Sequence, residues 1–286
     1  MLDVIVQQLQ QFIGEAANNK AFLTEEQINE AVEAYKETLQ KHFTKQEEKG
    51  FTLRMSSVGR SYCQQWMEKN HEPEEDLGYA TKMKFVIGDI VESLVFVCMK
   101  GAGIELEGTQ QEVTLDIGGI SLKGHYDVKI AGAIYDVKTA SPYAYDKKFT
   151  DFKTLREDDP FGYVAQGYAY AEADKSELGG WIVINKATGE IKGVPTPIAD
   201  NSYRKEALKN IEELIRKVEA DAPFERGFTG IPETYYGKAT GNTKLPFTCQ
   251  YCAFKKRCWG DKLTLAANPR SKAAFTQKTW YIGEVK

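Results

Sequence analysis

Histidine is nearly absent: the 286 residues hold three, His42, His71 and His125. They form no pair at metal-ligating spacing, which excludes a site built on imidazole ligands. No stretch approaches the ~20 apolar residues needed to cross a bilayer, so an α-helical membrane span is excluded. No internal repeat is visible, which excludes a repeat array. The opening residues, Met1-Leu2-Asp3-Val4, put no basic region ahead of an apolar run and do not read as a secretory signal. The expectation is a cytoplasmic protein. An excess of positive charge is also missing: the net charge is -4, which argues against a generic polyanion binder.

The hydrophobic content of 42% and aromatic content of 12% are enough for a real core, in one large domain or two small ones. Charge is uneven. Residues 244–286 carry nine Lys or Arg against two acids, whereas residues 1–50 carry nine acids against five Lys. A basic C-terminal part can hold phosphates while an acidic N-terminal part stays solvated; the alternative is charge merely spread over a surface.

Residues 2–17 and 25–43 read as helices. The second opens on a capping-box pattern, Thr24-Glu25-Glu26-Gln27, and sets Ile28, Val32, Tyr35 and Leu39 on one stripe, as in a helical extension packed on the body. A turn at residues 55–61 leads into a short helix, and residues 71–76 read as a loop. Residues 85–100 form a strongly apolar helix, followed by strands at 111–117, 120–130 and 133–139. Asp159 caps a helix with Pro160 at its first position, running to Ala173. A buried strand at 180–185, its hairpin partner at 190–194 and an amphipathic helix at 202–220 complete an α/β core. The segment after Pro223 is rich in glycine and turns.

The chemistry concentrates in the hairpin. With a two-residue loop at Ala131-Gly132, Ile130 faces Ala133, and counting back sets Asp127 opposite Asp136. Side-chain alternation puts Lys138 on the face of Asp136 and His125 on that of Asp127. Directly opposed like charges are destabilising. A divalent cation would turn that liability into a ligand set, as in a metal-dependent phosphodiester-cleaving site; an exposed hairpin with solvated charges is the plainer alternative. Glu92, on the apolar helix, needs a partner or a water-filled cleft, unless it shares a solvated strip with Asp89. Gln166 and Tyr170, four residues apart, share a helix face and can line a groove; Tyr163, Tyr168 and Tyr170 also fit a core.

Cysteines are few, five in all, but three fall within ten residues: Cys249, Cys252 and Cys258. Cys63 is a fourth candidate. Thiols at this density in a reducing compartment hold a metal or an iron–sulfur cluster more often than a disulfide, and zinc is the rival. Cys98, inside the apolar helix, reads as a buried, inert thiol.

The order Glu92, Asp127, Asp136-x-Lys138, Gln166-x-x-x-Tyr170 resembles the motif set of RecB-like nucleases of the PD-(D/E)xK superfamily. Cys63 followed by C-x2-C-x5-C is similar to their iron–sulfur subgroup, which includes CRISPR-associated exonucleases and AddB-type helicase–nuclease subunits. The likeness runs from about Ser56 to Gly260. It departs at Glu92, where many relatives have histidine, and Asp136 is the shorter acid at its position.

The resemblance implies a restriction-endonuclease-like α/β core, a central mixed sheet flanked by helices, over residues 51–222. A helical extension over 1–50 and a cluster-binding segment with a basic tail over 223–286 would join it in one body. It implies that Glu92, Asp127, Asp136 and the Val137 carbonyl hold Mg2+ or Mn2+, that Lys138 assists the attacking water, and that Gln166 and Tyr170 orient the strand. Thr139 and Ser141, with Lys255, Lys256 and Arg257 between the cluster ligands, would contact phosphates. Tyr143, Tyr145 and Phe149 could stack on unpaired bases. A 4Fe-4S cluster on Cys63, Cys249, Cys252 and Cys258 would be structural. DNA is the expected partner, together with recombination or repair proteins, and no membrane is. The readings are an exonuclease at DNA ends, a structure-specific or nicking endonuclease, and a non-catalytic cluster-bearing module that binds nucleic acid or protein.

Overall fold

Apolar periodicity at the N-terminus builds α1 (Leu2–Ala17), whose Leu2, Ile5, Val6, Leu9 and Phe12 are buried. The computed structural model describes residues 1–45, 50–71, 73, 78–260, 262–272 and 278–286; most of the loop expected over 71–76 lies outside them. Helix α2 (Glu25–Phe43) begins with the expected capping box: Gln27 N–H donates to Thr24 Oγ1 at 3.2 Å, and Thr24 N–H to Gln27 Oε1 at 2.9 Å. Then come α3 (Tyr62–Asn70) and α4 (Tyr79–Gly101).

The chain divides into two compact units: Met1–Gly59 with Gly78–Glu213, and Arg60–Leu77 with Leu214–Lys286. The N-terminal helices belong to the first unit because α1 places four aliphatic side chains in its core, each worth about 1.5–3 kcal/mol when fully buried.

The first unit is built on β1 (Gly108–Ile117), β2 (Ile120–Ile130) and β3 (Ala133–Ala140), then α5 (Pro142–Lys147), α6 (Phe152–Glu157) and α7 (Tyr163–Ala173), then β4 (Glu177–Asn185) and β5 (Ile191–Pro195). The five strands lie in sequence order; only the β3–β4 pair is parallel. Alternation divides the core. Val128, Ile130, Tyr135, Val137, Ile182 and Ile184 pack with α1 and α4. Trp181 and Val183 pack with residues of α5, α6 and α7. The result is a mixed sheet flanked by helices, as expected.

Three expectations are corrected. The stripe Ile28, Val32, Tyr35 and Leu39 is exposed rather than packed. Thr38 is the buried residue of α2 instead, and Lys41 and His42 bond to Asp89 of α4 at 2.7 and 2.8 Å. Helix α7 starts at Tyr163, not Pro160, because Gly162 takes a left-handed φ of 76° against Gly59; a Cβ on Gly162 would lie 2.2 Å from the Gly59 Cα. Asp159 still caps it, accepting from the Tyr163 and Val164 N–H groups at 2.9 and 2.8 Å. Cys98 is half-buried rather than buried.

Helix α8 (Ser202–Glu219) spans the division between the units. The second unit then holds β6 (Ile231–Tyr235), β7 (Lys238–Lys244), α9 (Phe247–Gln250), α10 (Lys255–Trp259), β8 (Leu263–Ala266) and β9 (Thr279–Ile282). Its strands form a sheet in the order β6-β7-β9-β8, where the sequence reads only turns. Buried Glu233 is its polar core, accepting from Thr240, Asn242 and Tyr281 at 2.9, 3.1 and 2.8 Å.

Candidate active site

The β2–β3 hairpin turns at Ala131 and Gly132, both with positive φ (47° and 75°), as a two-residue turn with right-handed strand twist demands. Its ladder runs Ile130↔Ala133, Lys129↔Ile134, Val128↔Tyr135, and stops there. One further step along that register sets Asp127 opposite Asp136. In place of a backbone pair, the Val137 N–H donates to Asp127 Oδ2 at 2.7 Å.

Lys138 and Asp136 project to the same face. Lys138 Nζ donates to Asp136 Oδ1 at 2.6 Å and stands 3.9 Å from Asp127 Oδ2. Asp136 is buried, and its Oδ2, although 2.6 Å from the same ammonium, receives no directed hydrogen bond. Burial alone would lower the Lys138 pKa, but Asp136 and Asp127 hold it above the ordinary lysine value. Its ammonium also lies 5.2 Å from the centre of the Tyr163 ring. Burial, opposed by Lys138 and reinforced by Asp127, pushes the Asp136 carboxyl up to about 7.

Glu92 comes from α4. Burial first, then the charge of Asp127, pushes its carboxyl up to about 9. The Gln110 Nε2 donates to Glu92 Oε1 and lies 3.5 Å from Asp127 Oδ1, bridging the two carboxylates. Gln166 Nε2 donates to the Tyr170 hydroxyl at 2.9 Å on α7. Tyr170 lies close enough to Asp136 and Asp127 to feel their charge, although burial is the main cause raising its hydroxyl to about 12. Gly124 of β2 makes that approach possible: a Cβ there would come within 2.7 Å of Tyr170 Cε1 and 3.0 Å of Met55 Cβ.

Six of the sequence-predicted residues therefore converge: Glu92, Asp127, Asp136, Lys138, Gln166 and Tyr170. Thr139 alternates away from Lys138 and faces α4, 3.9 Å from where a Cβ on Gly88 would stand. Ser141 spends its hydroxyl as the cap of α5, accepting from the Ala144 N–H at 3.3 Å. Tyr145 and Phe149 are buried in the core and cannot stack on bases, whereas Tyr143 is exposed. His125 is an exposed strand residue 3.9 Å from Glu112. Gln110 and Tyr163 were missed as site residues. The first carries no sequence signal, because its role depends on a left-handed backbone in the middle of a strand.

Among the described residues no three Asp, Glu, His or Cys side chains are already drawn in as a metal shell. The donors nonetheless fit a hard cation. Three desolvated carboxylates share one place, one oxygen has no directed partner, and the present counter-groups are a lysine and an amide.

In the second unit, Cys63, Cys249, Cys252 and Cys258 line one small cavity with Met67, Arg226 and Trp259, and all four are free thiols. Burial raises the Cys249 thiol to about 12, with the other three adding to it. Lys255 is buried, and its ammonium donates to the Cys252 carbonyl at 3.1 Å. It does not face phosphates, because the short α10 turns it inward. Lys256 lies 5.9 Å from the Trp280 ring centre, and Arg257 is 3.4 Å from His71 Nδ1.

No protein of curated function matches the chain. The crystal structure of SSO0001 is 17% identical, with a TM-score of 0.46 over 82% of this chain and 97% of that one. A candidate exonuclease from Eubacterium rectale is 17% identical, with a TM-score of 0.31 over 71% of this chain and 88% of that one. Residues 5–259 match the family model described as the PD-(D/E)XK nuclease superfamily. With nearly the whole chain inside that match, the protein belongs to the PD-(D/E)XK nuclease superfamily.

Proposed function

We propose that this nuclease is a Mg2+- or Mn2+-dependent deoxyribonuclease that hydrolyses phosphodiester bonds at DNA ends, of the RecB-like, iron–sulfur kind. The observation that carries the reading is the convergence of Glu92, Asp127 and Asp136 beside the Lys138 ammonium. Those three carboxylates and the Val137 carbonyl would hold the cation. A bound divalent cation supplies Lewis acidity, which makes water a stronger nucleophile and offsets charge on the phosphorus in the transition state.

The chain's own residues do the rest. Lys138 stays cationic because two carboxylates flank it; it orients the attacking water and stabilises charge developing on the phosphate oxygens. Tyr163 covers one side of that ammonium and limits its rotation. Gln166, half-buried on α7, presents a polar edge to the bound strand, and the buried Tyr170 hydroxyl holds its amide in place. Preference for a single strand is supported by exposed Tyr143, which can stack on an unpaired base.

The four thiols of the second unit would hold a 4Fe-4S cluster. The reading is supported by their shared cavity, by their soft donor chemistry, and by Arg226 and Lys255 nearby to offset the charge of thiolates. Fixing Cys63 of α3 to the α9–α10 segment would staple together parts far apart in sequence.

The test incubates end-labelled linear and circular DNA with the protein and Mn2+, with EDTA as control. Shortening of linear DNA from its ends is expected, with circles left intact. Asp136→Ala and Lys138→Ala should each lower the rate by at least about 10³-fold while DNA binding persists. Cleavage retained in both variants would remove the site, and cut circles would make the protein an endonuclease.

A further inference from the structure

Gln110 interrupts strand β1. On either side of it the β1–β2 ladder is regular, with Thr109↔Val128 and Gln111↔Tyr126, but the pair Gln110/Asp127 is missing. Its φ is 48°. A non-glycine residue in that left-handed region costs about 1 kcal/mol or more, and such strain persists only where surrounding contacts hold it. What the conformation achieves is visible in the side chain. The amide nitrogen reaches out of the strand, donates to Glu92 and stands 3.5 Å from Asp127. A neutral donor thus links the Glu92 carboxyl to that of Asp127.

We propose that Gln110 is a displaceable amide strap, a positioning residue that holds Glu92 and Asp127 together without an ion and yields to the ion when it arrives. This rests on the metal-dependent reading of the same site. The amide nitrogen occupies the space that a cation shared by Glu92 and Asp127 requires, so the two compete. Any stabilisation that the strap gives the ion-free protein is lost when the cation binds. The wild-type chain therefore binds the ion more weakly than a chain without the strap, and Gln110 sets the ion concentration at which the site fills.

The experiment is calorimetric titration of the full chain with Ca2+ or Mg2+, without DNA, for the wild type and two variants. Gln110→Met keeps the length and removes the donor. Gln110→Gly removes it while accepting a φ of 48° without penalty, so one variant remains if the other misfolds. Both should bind the ion roughly tenfold more tightly than wild type, the scale of one hydrogen bond to a charged group. In EDTA the midpoint of Gln110→Met should fall below that of wild type, and saturating ion should narrow the gap. Weaker binding in the variants would make Gln110 a ligand and overturn the strap, as would unchanged binding. Absence of ion binding in the wild type would instead remove the metal reading itself, and the strap with it.

Discussion

Glu92 is the residue on which the electrostatics of the site turn. Its ordinary pKa is 4.5, and burial beside Asp127 takes it to about 9. Between those values the ion-free folded chain keeps a proton that the unfolded chain has released. Stability from this group is therefore complete below pH 4.5 and is lost as pH climbs towards 9. Asp136 acts with the same sign between 3.8 and about 7. In EDTA, the guanidinium midpoint should fall steadily from pH 5 to pH 9, and Glu92→Gln should flatten the slope. A wild-type midpoint that rises over that range, or a Glu92→Gln curve parallel to wild type, would mean that Glu92 is not held protonated. Cation binding requires the carboxylate, so ion affinity should rise with pH over the same interval.

At the scale of elements, the site is made where a ladder stops. The β2–β3 pairing ends at Val128↔Tyr135, and beside the next pair, two aspartates, the Val137 N–H donates to the Asp127 carboxylate instead of extending the ladder. Helix α7 is seated over β2 by the absence of a side chain at Gly124. Gly124→Ala would drive a methyl group against Tyr170 and Met55, so it should cost about 1–3 kcal/mol in chemical denaturation, as overpacking does. It should also lower cleavage more than DNA binding, because Tyr170 and Gln166 move together. An unaltered midpoint with full activity would show that α7 has slack over the strand. This position was legible only in part. The strand Gly124-His125-Tyr126-Asp127 is plain in sequence, but nothing local says that an aromatic ring from 46 residues downstream needs the space.

At the scale of the whole molecule, two units carry separate chemistry, the carboxylates in the first and the thiols in the second. With a cluster on the four thiols, the anaerobically purified wild type should be brown, with about four iron atoms per chain. Cys252→Ser should bleach it and reduce amide-exchange protection in the second unit, while β2 and β3 of the first unit keep theirs. A colourless wild type with one zinc would overturn the cluster assignment.

The mixed α/β core and the geometry of the β2–β3 hairpin were legible along the chain. Period-2 alternation and a two-residue turn determine that Asp127, Asp136 and Lys138 share a face, since side-chain direction along a strand is a local property. The cysteine spacing groups Cys249, Cys252 and Cys258 because nine residues of chain across two short helices keep them near one another. Tertiary structure alone decided which way α2 turns its apolar stripe, that Lys255 and Phe149 point inward, and that a second sheet forms after Pro223. It also decided the left-handed twist that carries Gln110 to Glu92. These outcomes depend on what lies across the gap from each side chain. That neighbour lies on another element, 18 residues from Gln110 in the case of Glu92 and 47 from His42 in the case of Asp89, so no local pattern encodes it.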